Sequence, residues 1–374
     1  MRTLLAIVLL TISGPALAKP AGPAKKAPVA AAPTAAAASA ALKAGNAALA
    51  RKNYPEAVRQ FTVSCKADSA EACHNLAVLT AQGQGTAQSH PRAAELYNKA
   101  CTGGYFAACT NLGVVYSKGL GVTRDDAVGV KLFGKGCDGK NMNGCFNLGL
   151  RYLEGRGVSR DYARAGQLFG QACDGGVADA CYNWGAMHSN GEGVARNYVR
   201  AAELQEKACD AGSAMGCNEL GALYGEGNGV PKNQTRAVGF YEQACKGGAP
   251  MGCSNLGTRY IRGDGVPVDK VRAGQLFEQA CANGKGDPGG CYMRAQTYRI
   301  GDGVAKDMAK AVSFFTLACD AGDAGGCYML GALYSNGDGV PTSRERAIHF
   351  FQQALKHDPD FAPAKDALRS MGAN

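Results

Sequence analysis

Sixteen cysteines fall into eight pairs along this chain, and the pairs recur at a fixed period. They are Cys65/Cys73, Cys101/Cys109, Cys137/Cys145, Cys173/Cys181, Cys209/Cys217, Cys245/Cys253, Cys281/Cys291 and Cys319/Cys327. The separation within a pair is 8 residues, or 10 in Cys281/Cys291, and the step between pairs is 36, or 38 across that insertion. A period this strict is the mark of stacked repeats. A unit of this size cannot bury a core alone, so neighbours must supply the rest of it.

One unit shows what is stacked. Cys109 to Tyr116 opens an amphipathic helix, which Gly119-Leu-Gly121 ends. Val122 to Asp125 leads into a second helix, from Asp126 to about Cys137, which Asp138-Gly139 breaks. Helical periodicity bounded by glycine predicts an αα-hairpin, and the fold class is an all-α solenoid. Ten residues after the second cysteine of every pair stands a glycine, from Gly83 to Gly337, and two further on another, from Gly85 to Gly339. The first reads as a left-handed helix cap and the second as a tight turn. No strand precedes these glycines, so they do not read as a nucleotide-binding loop. A tyrosine such as Tyr224 or Tyr298 recurs seven residues after the second cysteine, where a ring fills the gap between helices. Asn75, Asn111, Asn147, Asn183 and Asn255 recur two residues after it. Local hydrogen bonds that tie down the incoming loop are the favoured role for these amides, ahead of a ladder that binds a peptide backbone.

Each first cysteine ends a helix and its mate begins the next one. The intervening loop turns the chain round, which brings the sulfurs within disulfide reach. Zinc would need four ligands close together, whereas successive pairs lie 28 residues apart and only five histidines exist. No Cys-x-x-Cys is present for redox catalysis. No metal or cofactor is expected.

Residues 1–18 read as a secretory signal: Arg2, the apolar run Leu4 to Ile12, and Ala16-Leu17-Ala18 as a cleavage pattern. That run is too short to span a bilayer, so no transmembrane segment is expected in the mature chain. Residues 19–39 are rich in Ala, Pro and Lys and read as a disordered tether. An opening helical hairpin follows at 40–72, then eight repeats at 73–362, then a capping helix and tail at 363–374 with Leu368 inward. The formal charge of +9 falls to +5 once Arg2 and the tether's Lys19, Lys25 and Lys26 are set aside. That balance, with no basic block, excludes nucleic acid as the expected partner. Export and paired cysteines place the protein in a secreted or periplasmic setting.

Asn111-Leu-Gly-Val-Val-Tyr116, Gly119-Leu-Gly-Val122, Asp125 and the Ala-Cys or Gly-Cys before the next loop resemble the SEL-like repeat, a relative of the tetratricopeptide repeat. The eight-residue cysteine spacing is similar to that of the Helicobacter cysteine-rich protein family. The resemblance implies a right-handed superhelix of αα-hairpins with one disulfide per unit, and scaffold or recognition work. Members of that family are often labelled β-lactamases. This chain has no Ser with Lys three positions on, no Ser-Asp-Asn, no Lys-Thr-Gly and no His-Glu-x-x-His.

The function expected is therefore a scaffold that presents a curved groove to a protein or peptide. The alternative is binding of a β-lactam or peptidoglycan fragment with weak β-lactamase activity. No catalytic residue is assigned. The candidate binding residues are Arg151, Tyr182, Arg259, Tyr292, Arg299 and Tyr328, placed just after the second cysteine and one or two turns on. Tyrosine and arginine are the side chains that most often anchor interfaces.

Overall fold

The computed structural model describes residues 34–373. The opening hairpin is α1 (Ala35–Ala50) and α2 (Tyr54–Lys66). Eight hairpins follow: α3 (Ala70–Gln82) with α4 (His90–Thr102), α5 (Phe106–Lys118) with α6 (Asp126–Asp138), α7 (Met142–Glu154) with α8 (Tyr162–Asp174), and α9 (Ala178–Asn190) with α10 (Tyr198–Asp210). The remaining four are α11 (Ala214–Glu226) with α12 (Gln234–Lys246), α13 (Pro250–Arg262) with α14 (Lys270–Cys281), α15 (Pro288–Ile300) with α16 (Met308–Asp320), and α17 (Ala324–Asn336) with α18 (Arg344–His357). A last helix, α19 (Ala362–Ser370), closes the end. Each helix packs chiefly on the one before and the one after it, which makes the chain a solenoid.

The helix ends follow from local chemistry. Second helices begin at a capping side chain such as Asp125, whose Oδ1 accepts the Val128 N–H at 2.9 Å. First helices end at glycines in the left-handed region, such as Gly227 at φ +83°. The second glycine does more than turn the chain. A Cβ on Gly229 would lie 2.2 Å from the Tyr198 carbonyl carbon and oxygen, so this loop lies directly on the start of the preceding unit's second helix.

All sixteen cysteines are bridged, in the eight pairs expected: Cys65 to Cys73, Cys101 to Cys109, Cys137 to Cys145, Cys173 to Cys181, Cys209 to Cys217, Cys245 to Cys253, Cys281 to Cys291 and Cys319 to Cys327. Each bridge joins the end of one second helix to the first turn of the next first helix, with Cα atoms 4.5–4.7 Å apart.

The place of the second cysteines differs from the expectation in one respect. Cys73, Cys109, Cys145, Cys181, Cys217, Cys253, Cys291 and Cys327 do not begin their helices. Each is the fourth residue of its helix, so every first helix starts three residues earlier than expected, at Ala70 rather than Cys73 and at Phe106 rather than Cys109. The first repeat accordingly opens ahead of residue 73. In five of the eight units the residue just before the helix caps this start, whereas Tyr105, Val177 and Ala249 make no side-chain cap bond at theirs. Ser69, Asn141, Ser213, Asp287 and Asp323 cap these helices from the loop, as Asn141 Oδ1 does by accepting the Gly144 N–H at 3.0 Å. With the residue before the helix four positions upstream, the cysteine falls one turn in and points to the interior. All eight are buried, as are their mates, so the bridges belong to the core and offer no exposed sulfur.

One enclosed side chain per hairpin fills the rest of the core, including Phe61, Phe133, Phe169, Tyr241, Phe277 and Phe315. Three of the tyrosines seven residues after the second cysteine, Tyr224, Tyr298 and Tyr334, stack on the ring just before the enclosed one, as Tyr334 does on Phe350 with ring centroids 5.6 Å apart.

The expected tether is shorter than 19–39 at its C-terminal end. Helix α1 starts at Ala35, capped by Thr34, whose hydroxyl accepts the Ala37 N–H at 3.3 Å. The alanine run that follows is the best helix former, so composition that looked unstructured becomes helix once a cap and a packing partner are present. The signal and the rest of the tether lie outside the described residues. In the seventh unit, which has two residues more between its cysteines, a 3₁₀ turn, Ala282–Gly284, follows α14, and the chain returns so that the Asp287 N–H donates to the Ala280 carbonyl at 2.8 Å.

Candidate functional site

The six candidate residues do not converge on one site. Arg151, on α7, is largely buried between Asp126 at 3.7 Å and Glu154 at 3.4 Å. Asp126 also takes Arg124 at 2.8 Å and Arg156 at 3.2 Å. The Arg124 guanidinium foremost, then Arg156, holds the Asp126 carboxyl below the usual carboxylate range. Arg259, on α13, reaches Asp264 at 3.2 Å and Gln234 Oε1 at 3.3 Å. Both arginines stand six residues after a second cysteine, Cys145 and Cys253, where other units carry Leu, Val, Met or Thr. They work as ties between neighbouring helices.

The three tyrosines sit one residue after the second cysteines Cys181, Cys291 and Cys327 and lean on the hairpin core. Tyr328 packs on Phe351 and on Phe361 at 5.5 and 5.8 Å between centroids, which seals the C-terminal end. The Tyr182 carbonyl accepts the Gln205 Nε2–H at 3.1 Å, and burial pushes the Tyr182 phenol up. Tyr292 meets Phe315 at 5.7 Å. Tyr292 and Arg299 are the one pair that the structure links. Gln296 donates from Nε2 to the Tyr292 hydroxyl and accepts at Oε1 from Arg299 Nε, both at 2.8 Å.

The more open side of the first helices lies one residue away from the expected register. It carries the positions two and five residues after the second cysteine, half-buried between neighbouring first helices. Four of its five amides are spent within the protein. Asn147 and Asn183 bond one turn back to the Asn143 and Asp179 carbonyls at 2.7 Å. Asn75 donates to Asn46 Oδ1 at 3.3 Å, and Asn255 to Asn218 Oδ1 at 2.9 Å, across neighbouring units. Glu219 replaces the amide in the fifth unit, and burial pushes its carboxyl up. A cleft of about 270 Å³ opens between α3 and α5, lined by Val78, Ala81, Asn111 and Val114 with Tyr97 and His90 of α4. The sequence signal for this surface was twofold: an amide that recurs two residues after the second cysteine in five units, and a side chain that changes from unit to unit five residues after it.

Among the described residues no three His, Cys, Asp or Glu side chains are grouped to hold a metal ion. No described helix is long and apolar enough to cross a membrane.

The structure is similar to that of c5321, a protective antigen of uropathogenic Escherichia coli strains displaying an SLR fold. That match has a TM-score of 0.66 and 28% identity over 84% of this chain and 67% of the other. A Sel1 repeat protein from Oxalobacter formigenes matches with a TM-score of 0.60 and 24% identity, over 66% of this chain and 96% of the other. Helicobacter pylori cysteine rich protein B shares 29% identity over 34% of this chain and 91% of its own, with a TM-score of 0.29. No curated protein matches the chain in sequence. The Sel1 repeat model matches eight times, at residues 70–105, 106–141, 143–177, 178–213, 214–248, 250–285, 288–323 and 324–359. With eight such matches running from the first bridge to the capping helix, the chain belongs to the Sel1 repeat family.

Proposed function

We propose that this protein is a binding scaffold that works in the periplasm or outside the cell and presents the open side of its first helices, as a curved groove, to a protein or peptide partner. The observation that carries this reading is the contrast between core and face. Most enclosed positions keep one kind of side chain from hairpin to hairpin, with Gln205 and Arg294 as exceptions, whereas five residues after the second cysteine the chain reads Val78, Val114, Leu150, Ala186, Ala222, Thr258, Gln296 and Ala332. A uniform core leaves the face free to vary, which is how solenoids acquire specificity. The Sel1 fold is typical of protein-interaction scaffolds. The cleft at Val78 and Val114 offers an apolar seat with an amide at its edge. The signal-like start and eight disulfides support an oxidising compartment. No specific observation favours the β-lactam or peptidoglycan-fragment alternative.

Photo-crosslinking tests this. A crosslinker at Val114 of the oxidised protein is expected to capture one discrete polypeptide from an envelope fraction, and the same label at Glu203, exposed on α10, is not. Equal capture from both positions would refute the proposed face. A cell-wall fragment captured at Val114 would favour the alternative.

A further inference from the structure

The seventh unit departs from the others along one line of its first helix. Tyr292, Gln296 and Arg299 are spaced four and three residues apart, which puts them on one face of α15. The other seven units carry Val, Leu, Ala or Thr at the position of Gln296, and Ala, Ser, Leu, Gly or Ile at that of Arg299. The three side chains are hydrogen-bonded in series, so Arg299 is held through its Nε while its two Nη groups stay free of that relay. Arg299 lines a cleft of about 170 Å³ between the seventh and eighth units, together with Lys306, Met308, Leu333, Asp338 and Gly339.

The charges in this cleft are unspent. Among the described residues neither Arg299 nor Lys306 forms an ion pair, and Asp338 has no cation. One unit earlier the same loop position, Asp302, pairs with Lys270 at the start of the preceding second helix at 2.7 Å. For Asp338 of the eighth unit the residue in the place of Lys270 is Met308, at the start of α16 in the seventh, so the acid loses its partner and the cleft gains an apolar wall.

We propose that this cleft binds a small zwitterion of the α-amino acid class. The guanidinium of Arg299 and the ammonium of Lys306 take the carboxylate, for which a planar fork and a point charge are suited. Asp338 takes the ammonium group. Met308 and Leu333 receive an aliphatic side chain. The cleft is smaller than the roughly 300 Å³ at which sites for larger ligands begin. A carboxylate at its edge opposes dianions such as phosphate, so the selectivity is for one negative charge with a positive neighbour. The assignment does not rest on the scaffold reading, although Gln296, which holds Arg299, also belongs to the varying positions of the first helices.

Binding is read by the methyl resonances of Met308 and Leu333 in the oxidised protein, with leucine, leucinamide, N-acetyl-leucine and inorganic phosphate as probes. Leucine is expected to shift both methyls saturably, and the other three to bind at least about tenfold more weakly, a difference of about 1.4 kcal/mol. Arg299→Gln and Lys306→Gln, checked for unchanged helicity, are each expected to weaken leucine by a similar factor. Arg262→Gln, at the exposed end of α13, is expected to change nothing. No saturable shift with leucine, or equal binding by leucinamide or phosphate, would overturn the proposal. Equal binding by N-acetyl-leucine would remove Asp338 from the site and overturn the zwitterion assignment.

Discussion

Cε1 of Phe277 lies 2.7 Å from where a Cβ on residue 257 would stand, so α13 and α14 close on each other across a glycine. The ring is fully enclosed and has no room to retreat. The same arrangement joins Gly113 to Phe133, Gly149 to Phe169 and Gly331 to Phe351. Gly257→Val is expected to destabilise the protein by about 2–3 kcal/mol, the upper part of the range for overpacked cores. Urea unfolding of the oxidised protein checks it, and a loss no larger than that from an exposed-site valine would contradict the packing described.

The two glycines of each inter-helix loop have different duties, and substitution separates them. Gly227 is a helix cap with left-handed φ, so Gly227→Ala is expected to cost about 1–2 kcal/mol. Gly229 has the same hand of φ and also abuts the Tyr198 backbone, so Gly229→Ala is expected to cost more. Equal losses in thermal unfolding would mean that the loop does not dock on the preceding unit.

Removing the central bridge by Cys209→Ser with Cys217→Ser opens a loop of about nine residues, for which chain entropy predicts a loss of about 2–3 kcal/mol. Hydrogen exchange is expected to rise first at the end of α10 and the start of α11. Exchange that rises evenly over all units would show that the bridge acts globally.

Glu219 makes stability depend on pH in a definite sense. Its folded carboxyl is raised by burial first, with the nearby Glu226 charge adding to it, while the Asn218 side chain pulls the other way. The folded state therefore holds the proton more tightly than the unfolded chain. Between the ordinary carboxylate range and the raised folded value, stability falls as pH rises. His74 acts oppositely on a falling pH. Burial lowers its folded value, so stability is lost as pH drops below the ordinary imidazole range. Glu219→Gln is expected to raise stability at neutral pH and to leave it unchanged where the carboxyl is protonated. Denaturant midpoints across mildly acidic to neutral pH measure this, and an unchanged profile would remove Glu219 as its source.

Arg294 occupies a place that is Leu in six of the other units and Trp184 in one. It is 5% exposed, donates to Glu278 at 2.8 Å and to the Tyr298 hydroxyl at 2.9 Å, and leaves Nε and Nη1 without partners. Its Nη1 stands 2.4 Å from where a Cβ on Gly274 would be, so the guanidinium fills the notch of that glycine. Arg294→Leu with Gly274→Val, which copies the pairing of Leu256 with Val238 in the preceding units, is expected to be neutral or stabilising by about 1–4 kcal/mol. A marked loss of stability on unfolding would show that the buried cation is compensated better than its bonds indicate.

Much of the fold was legible in the residues because it rests on short-range chemistry. Cysteine spacing set the period and the bridges, Asp125 and its counterparts marked where second helices start, and Gly83 and its counterparts marked where first helices stop. The starts of the first helices were less legible. Cys73 and Cys145 are conspicuous in the sequence, but the caps Ser69 and Asn141 ahead of them decide where the helix begins. Ala35 to Ser39 misled, since an alanine-rich run is helix or coil according to whether something caps and packs it. The candidate site was less legible still. Tyr182, Tyr292 and Tyr328 have the right side chains for recognition, yet a one-residue difference of register on a helix turns a side chain by about 100°, given 3.6 residues per turn. That turn is enough to aim Tyr292 and Tyr328 at the rings of the hairpin, Phe315 and Phe351, while they stay half-buried.

The sequence alone determined the repeat, its helices and its covalent staples, because each depends on residues within one period. Tertiary structure decided which side of each first helix stays open, that Gly229 serves contact with the preceding unit, and that Arg299, Lys306 and Asp338 line one cleft. Those relations join groups in different units, and the distance between them is set by how closely each hairpin closes over its glycine and how each unit then seats on the last.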